Sequence, residues 1–131
     1  MNPKISVITT VYNCEDYIAQ SVKSILNQTF RDFEYIIVND GSKDNTLAIV
    51  SKLAEEDDRI RVFDNGVNLG RVVSLNKALN NSTGEYIALQ DADDISFPQR
   101  LEKQFKFLDE NSDYVLAGAN IIVIDLSLIH I

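Results

Sequence analysis

Apolar and polar positions along this chain fall into blocks whose period switches between about two, the strand repeat, and about 3.6, the helix repeat. Residues 5–10 form a short run rich in β-branched side chains, the pattern of a buried strand. Ile18, Val22, Ile25 and Leu26 follow at i, i+4, i+7 and i+8, which makes one apolar helix stripe. Residues 35–39 read as a second strand, stopped by Asp40-Gly41-Ser42. A second helix is predicted from Asp44, with Leu47, Val50, Leu53 and Ala54 turned inward. Residues 60–63 read as a third strand, ended by Asp64-Asn65-Gly66. Val72, Leu75, Ala78 and Leu79 give the stripe of a third helix that ends near Asn80-Asn81. Residues 86–89 read as a fourth strand running straight into Gln90-Asp91-Ala92-Asp93-Asp94. Ser96 fits an N-cap with Pro98 in the first turn, and Leu101, Phe105 and Leu108 form the stripe of a fourth helix. Residues 114–117 and 121–124 are further strand candidates, read as a buried pair.

Strands alternating with helices predict an α/β domain: a Rossmann-like, mostly parallel sheet with helices on both faces. In such sheets ligands sit beyond the carboxyl ends of the strands, near a topological switch point. The segments there are 11–13, Asp40-Gly41-Ser42, Asn65-Gly66 and 91–94, where polar side chains gather.

The length of 131 residues fits one domain over 1–131, with no repeat and no linker. A net charge of −8 lacks the basic footprint of a nucleic-acid binder, so no nucleic-acid partner is expected. Cys14 is the only cysteine, which excludes a disulfide scaffold and a Cys-rich zinc site and fits a reducing cytoplasm. Beside the expected site, Cys14 reads as a small, partly buried spacer rather than a reactive thiol. The N-terminus lacks the cleavage pattern of a signal peptide. The most apolar stretch, 114–131, contains Asn120, Asp125, Ser127 and His130 and makes a poor membrane span.

Asp91, Asp93 and Asp94 fall within four residues. Like charges this close raise one another's pKa, and a divalent cation relieves the repulsion. Hard carboxylate oxygens suit Mg²⁺ or Mn²⁺, usually shared with substrate phosphates. No Gly-rich phosphate cradle of the GxxxxGK[ST] or GxGxxG type occurs, so a diphosphate at this acidic edge needs a metal bridge. Spacing alone equally allows a solvated loop that caps the fourth helix. An EF-hand fails, because Ile95 and Ser96 stand where that loop needs a ligand and a glycine.

Four segments in order carry a family likeness: Ile5-Ser6-Val7-Ile8-Thr9-Thr10-Val11-Tyr12-Asn13, then 33–46 with Val38-Asn39-Asp40-Gly41-Ser42 at its centre, then Asn68-Leu69-Gly70-Arg71 continued by Leu75-Asn76-Lys77-Ala78, then 84–94 ending in Asp91-Ala92-Asp93-Asp94. Over roughly residues 4–125 the chain resembles the glycosyltransferases of family 2, whose nucleotide-sugar-binding domain has the A-type glycosyltransferase fold. The resemblance implies that Thr10 and Tyr12 line a nucleobase pocket and that Asp40 reads uracil. It implies that Asp91-Ala92-Asp93 is the DxD motif, with Asp91 on the ribose side and Asp93 binding the Mn²⁺ or Mg²⁺ that bridges the two phosphates. Asp94 would assist from behind, and Arg71 would contact base or phosphate. The activity implied is inverting transfer of a sugar from a nucleotide diphosphate, UDP by the Asp40 likeness, to the hydroxyl of a glycan, lipid or other acceptor.

The family's catalytic base lies in an acceptor half for which this chain offers no matching segment, so the chain reads as the nucleotide-binding half of a longer transferase. A parent at the cytoplasmic membrane face and self-association through uncovered apolar surface both fit. Residues 126–131 depart from the family pattern and read as a tail of foreign origin, which leaves His130 without a role. Two competing readings are a nucleotide-holding module without catalysis and a phosphatase of the haloacid dehalogenase type. The latter puts its D-x-D after the first strand rather than the fourth.

Overall fold

A computed structural model describes residues 1–124. Its elements run β1 Ile5–Val11, α1 Ile18–Leu26, β2 Phe33–Asn39, α2 Thr46–Glu56, β3 Ile60–Asp64, α3 Arg71–Asn80, β4 Tyr86–Leu89 and α4 Arg100–Glu110. Four strands pair in parallel in the order β3-β2-β1-β4. The register sets Ile8 beside Ile36 and Leu89, and Ile37 beside Val62.

Side-chain alternation splits the two faces of the sheet. Val7, Val11, Tyr35 and Ile37 pack with Ile18, Val22 and Ile25 of α1, Val50 and Leu53 of α2, and Leu101 of α4. On the other face Ile8, Ile36 and Val38 meet Ala78 of α3, with Leu75 and Phe63 beside them. Each of these fully buried aliphatics contributes about 1.5–3 kcal/mol. The arrangement follows from right-handed crossovers. The chain steps from β1 to β2 to β3 in one direction, with α1 and α2 on one face. It must then reverse to reach β4, which puts α3 on the opposite face. The reversal makes the gap between β1 and β4 the switch point, where α/β sheets bind ligands.

Three expectations need correction. The fourth helix starts at Arg100 with Gln99 at its cap, not at Ser96. Ser96 instead donates its hydroxyl to the Gln90 side chain at 2.7 Å. In α3 the inward face is carried by Ser74 and Ala78, whereas Val72 and Leu79 are exposed. The helix is turned so that Ser74 can bond Asn65, and small residues let it lie close to β1 and β2. Residues 114–117 and 121–124 do not form the expected buried strand pair. Val115, Leu116 and Ile121 are exposed, and Ile124 makes only an isolated bridge. β-branched composition makes a strand only where a ladder partner is in reach. The doubtful tail and His130 lie outside the described residues.

Candidate functional site

The carboxyl edge is built from loops that hold one another. Asn13 takes φ 47°, a left-handed conformation that Asn tolerates better than most residues. Its N–H donates to Ser42 Oγ (2.9 Å) and its side-chain oxygen accepts the Lys43 N–H (2.8 Å). The Cys14 N–H reaches Thr46 Oγ1 and the Glu15 N–H reaches Asp44. Glu15 in turn accepts both N–H groups of Asn45. The β1–α1 and β2–α2 loops are thus stapled together, and Tyr12 stands on the staple, 44% exposed as a residue. Cys14 donates to the Ala92 carbonyl at 3.7 Å. Burial first, then the charges of Asp93 and Asp44, push its thiol pKa up, so it serves as a spacer.

Asp40 closes β2 and is almost wholly buried. Its Oδ1 accepts the Leu69 N–H (2.8 Å) and Asn65 Nδ2 (2.9 Å), and its Oδ2 accepts the Gly70 N–H (3.0 Å). Burial alone would raise its pKa; the donors of Leu69, Asn65, Ser74 and Gly70 outweigh burial and hold it below the ordinary value. Asp40 therefore holds the β3–α3 loop in place. A carboxylate offers about four acceptor positions, and these loop donors take most of them. Gly41 makes the close approach possible. It sits at φ +70°, and a Cβ there would lie 2.4 Å from the Val67 carbonyl carbon.

At the switch point Thr10, Arg71 and Asp91 line one cleft together with Ile8, Leu75, Leu89 and Gln90. Arg71 starts α3 and reaches across to Asp91, Nη2 to Oδ1 at 2.9 Å, in an exposed ion pair. The cleft holds ≈ 20 Å³, room for about one water. Tyr12, Asp40, Ala92 and Asp93 are not among its walls. The structure thus gathers three of the expected residues into one cleft and sets the other four on the loops around it.

The acidic segment is held from below by side chains the sequence pattern passed over. Gln90, buried, accepts through Oε1 from Ser96 Oγ and from Arg100 Nη1, and donates through Nε2 to the Asp94 carbonyl and Ser21 Oγ. Ser21 Oγ also donates to the Asp91 carbonyl, Ser24 Oγ accepts the Ser96 N–H, and Gln28 bonds Phe97 and Leu101. Ser21 and Ser24 stand at i and i+3 of α1, and Gln28 follows at i+7, just past its C-cap Asn27. A polar stripe beside an apolar one is the signal that could have found them, since buried polar groups need partners.

Among the described residues no group of three or more His, Cys, Asp or Glu side chains is placed to hold a metal ion. Asp93 is exposed, and the described residues give its carboxylate no hydrogen-bond or ion-pair partner. Mg²⁺ and Mn²⁺ are commonly held by one or two carboxylates plus substrate phosphates. The donor set therefore fits a cation shared with a diphosphate and does not fit one held by protein alone. Asp94 has its pKa raised, by burial first and then by the charges of Asp91 and Asp93, which is the repulsion a cation would relieve.

Residues 6–127 match the sequence pattern of Glycosyl transferase family 2. A putative glycosyltransferase, EpsE of Bacillus subtilis (strain 168), is 45% identical over 124 residues, covering 94% of this chain and 45% of the relative. The chain thus spans less than half the length of that relative. TarS 1-349 of S. aureus in complex with UDP-GlcNAc superposes with a TM-score of 0.76 at 34% identity, over 82% of this chain and 31% of that one. A mannosyltransferase, PcManGT of Pyrobaculum calidifontis, in complex with GDP-Man and Mn²⁺, gives a TM-score of 0.72 at 28% identity, over 82% and 33%. No helix among the described residues is long and apolar enough to cross a membrane.

Proposed function

The chain belongs to glycosyl transferase family 2, and from that premise we propose that it binds a UDP-sugar at the carboxyl edge of its sheet and donates the sugar to an acceptor hydroxyl with inversion. The observation that carries this reading is the cleft at the β1/β4 switch point walled by Thr10, Arg71 and Asp91. A space for about one water does not admit a nucleotide. The Arg71–Asp91 pair is exposed and costs little to part, about 0–1 kcal/mol. Parting it frees a guanidinium for base or phosphate and a carboxylate for the ribose.

The base choice follows from Asp40. A carboxylate there can accept one ring N–H, as uracil offers at N3. Guanine would present two donors to a carboxylate, and Oδ1 already accepts two. Tyr12 offers a half-exposed aromatic face against which a base can pack. Asp93 would hold the Mn²⁺ or Mg²⁺, with Asp94 behind it. The metal, when bound, neutralises charge developing on the diphosphate.

In the transfer the acceptor oxygen attacks the anomeric carbon, the bond from that carbon to the diphosphate breaks, and the hydroxyl proton passes to a base. None of the described carboxylates is assigned as that base. The sugar and the acceptor are left unassigned, because the chain spans less than half the length of the curated relative it matches.

The test is calorimetric titration of UDP and of GDP in Mn²⁺ and then in EDTA, on the parent and on Asp93→Ala. UDP binding that needs Mn²⁺, exceeds GDP binding and is removed by the substitution supports the reading. No binding by a folded sample overturns it. Binding without sugar transfer or donor hydrolysis selects the nucleotide-holding module.

A further inference from the structure

We propose that Gln90 and Arg100 are positioning residues for the metal-holding loop. Their side chains form a bracket that fixes residues 91–96 in the shape that offers Asp93 to a diphosphate-bound cation. The inference rests on the nucleotide-sugar reading above.

One amide grips both ends of the loop. Gln90 Nε2 donates to the carbonyl of Asp94 (2.8 Å) and more weakly to that of Asp91 (3.4 Å), while its Oε1 accepts from Ser96 Oγ (2.7 Å). Gln90 is itself anchored in the sheet: its N–H donates to the Ile8 carbonyl, and its own carbonyl accepts Thr9 Oγ1. Burying a carboxamide costs free energy unless it is fully bonded, and a leucine would fill the space without that need. A buried Gln with this set of partners is therefore a device for shape.

Arg100 completes the bracket in an unexpected way. An arginine close to Asp91 and Asp94 would be expected to pair with one of them. Here Nη1 donates to Gln90 Oε1 (2.8 Å) and Ser96 Oγ (3.0 Å), Nη2 to the Leu89 carbonyl (2.7 Å), and Nε to Gln104 Oε1 (3.1 Å). Every one of these bonds goes to a neutral oxygen. The guanidinium charge tempers the repulsion within the acidic loop, yet it leaves the Asp93 and Asp94 carboxylates open and Asp91 to its exposed pair with Arg71. An Arg–Asp93 pair would instead compete with the cation for the same oxygens.

The mutual repulsion of Asp91, Asp93 and Asp94 tends to splay the loop, and the bracket opposes it. Partners that orient a metal ligand typically affect metal affinity about 10–100-fold when removed.

The experiment compares the parent with Gln90→Met, Arg100→Met and Arg100→Lys. UDP affinity is measured by calorimetry in Mn²⁺ and in EDTA, and amide hydrogen exchange at 91–96 is followed in the metal-free chain. In Gln90→Met and Arg100→Met the gain in UDP affinity given by Mn²⁺ should fall about tenfold or more with exchange at 91–96 faster, and in Arg100→Met, which lies outside the cleft, affinity in EDTA should stay unchanged. Arg100→Lys, which keeps the charge and some donors, should recover part of the gain. The proposal is overturned if folded variants keep the full Mn²⁺ gain, or if affinity in EDTA falls in step with it in Arg100→Met, which marks a merely structural role. If the parent shows no Mn²⁺-dependent UDP binding, the nucleotide-sugar reading fails instead. The bracket is then judged by exchange alone, and unchanged exchange in folded Gln90→Met and Arg100→Met overturns it.

Discussion

Asp40→Asn separates the two tasks assigned to this carboxylate. The substitution keeps size and shape. With the amide oxygen in place of Oδ1, the Leu69 N–H and Asn65 Nδ2 keep an acceptor. The amide nitrogen then stands where Oδ2 accepted the Gly70 N–H at 3.0 Å, so a donor faces a donor. The loss combines one buried N–H left without an acceptor, about 1–3 kcal/mol, with two charge-assisted bonds made neutral, and the sum is about 2–3 kcal/mol. At about 2.1 cal/mol/K of unfolding entropy per residue, that lowers Tm by roughly 7–11 °C.

The pH dependence supplies the internal control. Donors from Leu69, Asn65, Ser74 and Gly70 overcome burial and leave the folded-state pKa below the ordinary 3.8. A carboxylate with a depressed folded pKa stabilises above its unfolded value, and loses that contribution as pH falls through the folded one. The gap between parent and variant is therefore full at pH 7, begins to narrow below about pH 4 and closes in stronger acid. Thermal unfolding followed by circular dichroism from neutral to acid pH measures it. The reasoning is refuted if the variant melts within about 2 °C of the parent at pH 7, or if the gap does not narrow in acid.

Other substitutions test the remaining parts. Gly41→Ala, with its Cβ against the Val67 backbone at φ +70°, should lose about 3 kcal/mol or more in urea denaturation. Gly66→Ala, at φ +74° but in open space, should lose only about 1–2 kcal/mol. Arg71→Met should change stability by less than about 1 kcal/mol, because its ion pair is exposed, yet weaken UDP binding in titration. Glu34→Gln acts at the opposite edge of the sheet, where Glu34 accepts from Ser6, Thr83 and Arg61. It should cost about 1–3 kcal/mol in denaturation and leave the Kd for UDP unchanged.

The fold was legible because its core obeys simple periodicity. Strands buried on both faces read as continuous β-branched runs, and α1 shows its stripe of Ile18, Val22 and Ile25 directly. Periodicity failed where polarity did the packing. In α3 the inward face is Ser74 and Ala78, and a hydrophobicity count prefers the exposed Val72 and Leu79. It failed again at 114–124, where apolar composition signals strand propensity but a ladder partner decides the outcome.

For the site, the residue types at the strand ends were legible, and their partners were not. The sequence shows Asp40 as a free carboxylate; the fold commits at least three of its acceptor positions to the β3–α3 loop. It shows Arg71 and Asp91 twenty residues apart; the switch point makes them neighbours. Most of all, it hides the dependence of the acidic loop on α1. The helix buries Ile18, Val22 and Ile25 against the sheet, while Ser21 and Ser24 on the adjoining stripe, and Gln28 just past the helix end, bond segment 91–101. The packing that fixes the rotation of α1 thereby fixes where that loop is held. A substitution in the core, such as Ile25→Ala, would reach Asp93 through this stripe rather than through any contact with a ligand. Core packing and site geometry are coupled here by a single helix, with one stripe serving each.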